Sequence, residues 1–155
     1  MVFSELDLHP DLLKSIDELG FESCTEVQEK TFKSTFQGSD FIIQSKTGTG
    51  KTAAFLISIF NHFTTCNENT RKFALILAPT RELALQIEKE AIQIGKYLPY
   101  KIATFYGGVG YKKQEMQLAE GVDIMIATPG RLIDFIKSKK INISDVTYFV
   151  VDEAD

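Results

Sequence analysis

At 155 residues, with 44% hydrophobic and 25% charged content, the chain has the length of one domain and the composition of an ordinary globular protein, with no repeat and no low-complexity segment. A net charge of −4 does not advertise nucleic-acid binding, so any such binding has to rest on a local patch or on backbone donors. Cys24 and Cys66 show no metal or redox spacing and argue against a secreted disulfide framework; with no leader and no apolar run long enough to span a bilayer, the expected location is the cytoplasm.

Phe3 stands alone among polar neighbours. Pro10, favoured in a first turn, opens a helix that stops before Gly20, with Leu12, Leu13, Ile16 and Leu19 on one face. Thr25-x-x-Gln28 has capping-box spacing and starts a second helix, striped by Val27, Phe32 and Phe36 and ended by Gly38. Phe41–Gln44 reads as a strand. It runs into Ser45, Lys46, Thr47, Gly48, Thr49, Gly50, Lys51 and Thr52, and then into a helix reaching about Phe63. Strand, tight loop and helix form the context of a phosphate-binding loop. Gly48 and Gly50 let successive N–H groups point at one anion, and the helix N-terminus adds its partial positive charge. Lys51 can reach the outer phosphates, and the Thr52 hydroxyl can ligand Mg²⁺. The general pattern opens with Gly, where this chain has Ser45.

Thr64–Lys72 reads as an exposed loop. Phe73–Ala78 is a continuous apolar run, as in a strand covered on both faces, and Pro79 stops it. Thr80 can cap a long helix through Ala84, Ile87, Ala91, Ile94 and Leu98. Lys101–Tyr106 is a shorter strand ended by Gly107 and Gly108, and Tyr111–Glu120 is a polar helix expected to be exposed. Val122–Ala127 is another strand. Thr128, Pro129, Gly130 and Arg131 turn it into a helix, and Thr147–Val151 is a buried strand that delivers Asp152 and Glu153. A carboxylate at that place can hold Mg²⁺ directly or through water, and its neighbour Glu153 can orient or deprotonate an attacking water.

Strands alternating with helices predict an α/β domain with a mostly parallel sheet flanked by helices. In such sheets ligands bind at the C-terminal ends of the strands, and every unusual segment here falls at that edge.

With both pieces in hand, the chain resembles the N-terminal RecA-like domain of a DEAD-box ATP-dependent RNA helicase, whose namesake is Asp152-Glu153-Ala154-Asp155. Phe3, Gly20-Phe21 and Thr25-x-x-Gln28 resemble that family's adenine-reading segment, and Ser45–Thr52 its phosphate loop. Pro79, Thr80, Arg81, Glu82, Leu83 and Ala84, then Gly107-Gly108, then Thr128–Arg131, resemble its RNA-contacting segments. The resemblance implies ATP and Mg²⁺ as cofactors, Lys51, Asp152 and Glu153 as catalytic groups, and sequence-independent binding of an RNA backbone. It implies that Gln28 meets the adenine edge, that Phe3 stacks near the base and that Phe21 belongs to the same segment. Residues 1–38 would be a helical adenine-recognition segment and residues 39–155 a partial RecA-like ATP-binding domain.

Two positions depart from the family pattern. Cys24 stands where the family usually has Pro, which predicts a looser loop, and Ser45 stands where it usually has Ala. The resemblance also implies a domain incomplete at its C-terminus, lacking a Ser-Ala-Thr segment and a second RecA-like domain. The strand leading to Ser-Ala-Thr lies between the phosphate-loop strand and the strand ending at Asp152. Its absence exposes backbone groups at a cost on the order of 1–3 kcal/mol each where buried, against a total stability of roughly 5–15 kcal/mol. The chain is therefore expected to be a fragment that does not unwind duplexes alone, and Lys51 and Asp152 are expected to share a pocket. Two other readings stay open on the residues alone: a different phosphate-loop enzyme, and a non-catalytic nucleotide- or RNA-binding module.

Overall fold

The computed structural model describes residues 1–46 and 48–153; Thr47 of the expected site, and Ala154 and Asp155 of the tetrapeptide at 152–155, lie outside the described residues. In chain order the elements are α1 (Pro10–Glu18), α2 (Glu26–Thr35), α3 (Lys51–Thr65), β1 (Ala74–Leu77), α4 (Arg81–Ile94), β2 (Ile102–Phe105), α5 (Tyr111–Glu120), β3 (Ile124–Ala127), α6 (Pro129–Lys137) and β4 (Tyr148–Val151). The protein is α/β, and among the described residues β2 with β3, β3 with β1 and β1 with β4 pair in parallel, giving the order β2-β3-β1-β4. Among the described residues no helix is long and apolar enough to cross a membrane.

The chain divides into two compact units. The first holds Met1–Asn67 and Glu90–Pro99. In it, Pro10 occupies the first turn of α1, and His9 Nδ1 accepts from the Asp11 amide at 3.1 Å. Leu12 and Ile16 point inward, and Gly20 follows the helix at φ 79°. Helix α2 begins on the complete capping box that Thr25 and Gln28 predict. Helix α3 is apolar almost all round, as a helix sheltered on every side must be, and Ala53 to Asn61 are buried without a break. Gly95 is needed where it stands, because a Cβ there would lie 2.5 Å from the Phe60 ring.

The second unit holds Glu68–Lys89 and Tyr100–Asp155 and carries the sheet. Alternate strand residues Leu75, Ala103, Phe105, Met125 and Ala127 form one face and pack with Phe73, Leu132, Phe135 and Ile141. On the opposite face Ala74, Ile76, Ile124 and Ile126 are wholly buried, so β1 and β3 are covered on both sides, as their unbroken apolar runs require.

One expected strand is absent. Phe41–Gln44 forms no ladder, and Ile42 is 94% exposed. An apolar run becomes a strand only where a neighbour takes its backbone hydrogen bonds, and β4, with β1 on one side, has no strand on its other side among the described residues.

Candidate functional site

In the first unit the loop before α3 curls through two glycines in the left-handed region, Gly48 at φ 83° and Gly50 at φ 85°. Ser45 Oγ lies 2.7 Å from Thr49 Oγ1, and the Thr49 hydroxyl is also 2.7 Å from the Lys46 carbonyl. Helix α2 grips the loop from outside: the Thr25 hydroxyl donates to the Thr49 carbonyl at 2.8 Å, and Gln28 Nε2 donates to the Gly50 carbonyl at 3.3 Å. A Cβ on Gly50 would stand 2.5 Å from Gln28 Nε2, so only glycine permits this approach. Lys51 and Thr52, both half-buried, occupy the first turn of α3, and the Gly50 cap has no side chain to satisfy the first amides. An ammonium, a hydroxyl and an uncapped N-terminus of a fifteen-residue helix form a donor set that fits a polyphosphate and its hard cation.

Gln28 is buried. Its Oε1 accepts from the Thr25 amide at 2.9 Å and its Nε2 donates to Gly50, which leaves one amide hydrogen and one lone pair for a further partner. Phe3 is buried against Phe32 and Phe21, with ring centroids 6.3 and 6.1 Å away, so it anchors the N-terminal segment, whereas Phe21 is exposed. Cys24 donates its amide to the Met1 carbonyl at 2.9 Å, a bond that proline cannot make, so the loop expected to be loose is tied. Partial burial pushes the Cys24 thiol up, away from thiolate.

In the second unit the C-terminal ends of the four strands lie abreast, zipped by Ala78 N–H to the Ala127 carbonyl (2.9 Å), Thr128 N–H to Phe105 (3.0 Å) and Asp152 N–H to Leu77 (3.0 Å). This brings Pro79–Glu82, Gly107-Gly108, Thr128–Arg131 and Asp152-Glu153 to one edge. Pro79, Thr80, Arg81 and Glu82 are exposed. The Thr80 hydroxyl caps α4 through the Leu83 amide at 3.2 Å, and the Arg81 guanidinium lies 4.7 Å from the centre of the Tyr106 ring. Thr128 is half-buried and its hydroxyl makes no cap hydrogen bond, while Pro129 and Gly130 are exposed. Asp152 is half-buried and its Oδ1 accepts from the Glu153 amide at 3.0 Å; Glu153 is exposed in the left-handed region at φ 52°.

Arg131 does not face outward with these residues. It is 8% exposed and donates from Nη1 to Gln114 Oε1 at 3.0 Å and from Nη2 to the Val109 carbonyl at 3.4 Å, with its guanidinium 4.8 Å from the Tyr111 ring centre. Gln114 in turn donates to the Tyr106 carbonyl at 3.1 Å. Gln114 is the residue that sequence reasoning passed over. It sits buried in a helix expected to be polar and exposed, and no spacing rule marks it.

A sequence model of the DEAD/DEAH box helicases matches residues 25–155. The chain is 45% identical over 158 residues to the ATP-dependent RNA helicase RhlB of Hamiltonella defensa subsp. Acyrthosiphon pisum (strain 5AT), covering 99% of this chain and 37% of that protein. It is also 45% identical over 163 residues to the RhlB of Xanthomonas axonopodis pv. citri (strain 306), covering all of this chain and 28% of that protein. The crystal structure of a hypothetical ATP-dependent RNA helicase from Sulfolobus tokodaii superposes with a TM-score of 0.85 at 38% identity, over 96% of this chain and 42% of that one. The chain thus spans less than half the length of each of these proteins. The family match covers the capping box, the loop, the four strand ends and Asp152 alike, and the chain belongs to the DEAD/DEAH box helicase family.

Proposed function

We propose that this chain is the nucleotide-binding first part of an ATP-dependent RNA helicase, binding ATP with Mg²⁺ and one RNA backbone, and that it works with a second RecA-like domain in the cytoplasm. Lys51 and the amides of the loop Ser45–Thr52 hold the phosphates. Gln28, with residues 1–38 as the recognition segment, turns its remaining donor and acceptor to the adenine edge, and Phe21 offers the open ring of that segment. Mg²⁺, when bound, supplies positive charge against the phosphates, and the Thr52 hydroxyl and the Asp152 carboxylate are the groups that would hold it. Glu153 accepts a hydrogen bond from the attacking water and takes its proton.

The RNA reading is carried by one observation. Gly107 and Gly130 lie outside the left-handed region, and a Cβ on either would meet nothing within 4 Å, so nothing inside the protein requires glycine there. Two exposed glycines with free space above them, beside Thr80, Arg81 and the N-termini of α4 and α6, suit close approach by a sugar–phosphate backbone. Contacts to 2′-hydroxyls would favour RNA over DNA.

Calorimetric titration with ATP and Mg²⁺ tests the nucleotide half. Heat that disappears in Lys51→Ala is expected, together with weaker binding of GTP. Binding that ignores Lys51 refutes the assignment of the loop. A double-mutant cycle between Lys51→Ala and Asp152→Ala is expected to be non-additive, since both residues are assigned to one nucleotide.

A further inference from the structure

We infer that Gln114 is a positioning residue for the loop Gly107–Gly110, and that it sets this loop's hold on single-stranded RNA without touching the RNA. The inference rests on the RNA reading above. Three of the loop's four residues bring no side chain to packing: a Cβ on Gly107, Gly108 or Gly110 would meet nothing within 4 Å, and Gly108 is in the left-handed region at φ 84°. The loop is tied at two carbonyls. Gln114 Nε2 donates to the Tyr106 carbonyl on one side of the glycine pair, and Arg131 Nη2 donates to the Val109 carbonyl on the other. The two ties are joined, because Gln114 Oε1 accepts from Arg131 Nη1 at 3.0 Å.

Gln114 and Arg131 are 4% and 8% exposed, and Arg131 Nε, also buried, has no partner among the described residues. Arg131 therefore depends on Gln114 and Val109 for its hydrogen bonds. The primary amide of Gln114 accepts from a guanidinium and donates to a carbonyl at once; an ionised carboxylate in its place can do only the first and an ammonium only the second. Gln114 thus joins the end of β2 and helix α5 to α6, and so joins two of the segments assigned to RNA.

The two arms separate by substitution in the full chain. Gln114→Glu keeps an acceptor for Arg131 and loses the donor to Tyr106. Gln114→Met fills similar volume and loses both. Binding of a fluorescent oligouridylate is expected to weaken about fivefold in Gln114→Glu, the scale of one lost hydrogen bond. The amide resonances of Gly107 and Gly108 are expected to move while ATP affinity stays unchanged, a pattern that general loss of structure does not produce. Gln114→Met is expected to weaken RNA binding at least as much. If either folded variant binds the oligouridylate as tightly as the wild type, the inference is overturned. Arg81→Ala separates the two levels. If the wild type binds RNA and Arg81→Ala weakens it while the Gln114 variants do not, the inference alone fails. If the wild type does not bind RNA, the underlying reading fails and takes the inference with it.

Discussion

The glycines at positions 50 and 130 stand under opposite constraints. At Gly50 the left-handed φ and the Gln28 amide, 2.5 Å from a would-be Cβ, leave no alternative inside the protein. At Gly130, in the first turn of α6, neither constraint exists, and alanine would remove backbone freedom that the unfolded chain must otherwise lose. Gly130→Ala is therefore expected to raise the unfolding free energy by up to about 1 kcal/mol in urea titrations while weakening oligouridylate binding. Opposite signs in the two measurements separate a glycine kept for a ligand from one kept for folding; unchanged RNA affinity would remove Gly130 from the interface. The letters of the candidate site are legible because the glycine loop before α3 and the strand-end segments are local patterns. What spacing could not show is which way Arg131 faces. An arginine is read as exposed by default; the groups that bury this one, Gln114, the Val109 carbonyl and the Tyr111 ring, come together only in the fold.

At the scale of elements, the expected helices and the later strands match the observed spans to within a few residues, and the reason is again local. Pro10, Gly20 and the capping box of Thr25 and Gln28 mark helix ends from their own side chains. Phe41–Gln44 opens on three apolar residues, yet a strand is a property of two segments, and its letters hold no information about the second. Helix α2 is tied at both ends. Its N-terminus holds the loop through Thr25 and Gln28, and near its C-terminus the Thr35 hydroxyl lies 2.8 Å from that of Ser58 in α3. Gln28→Ala removes one arm of the capping box and the tie to Gly50. It is expected to cost about 1 kcal/mol of stability and to lower ATP affinity in the same preparation. Ser58→Ala touches only the far end of the helix. A comparable fall in stability without a change in ATP affinity would place the nucleotide effect at the Gln28 end.

At the scale of the whole molecule, the sheet's asymmetry sets how copies behave towards one another. On β1, Leu75 is 2% exposed; its register partner on β4, Phe149, is 56% exposed, and Val151 on the same face is 44% exposed. The covering of that face therefore stops at β1 and leaves β4 both apolar and, among the described residues, without a strand on its outer side. Free backbone groups beside uncovered apolar side chains are a template for a further strand, and a net charge of −4 is a weak deterrent. Concentration-dependent self-association is expected in sedimentation velocity, and the double substitution Phe149→Lys with Val151→Lys is expected to suppress it. Because these side chains give up little burial, the melting temperature should barely move. If the double variant melts far below the wild type, Phe149 and Val151 belong to a covered core in solution and the exposed edge is not the state the chain adopts. If it melts normally and still associates, the contact lies elsewhere on the surface, and the exposed Phe41 and Ile42 are the next residues to replace.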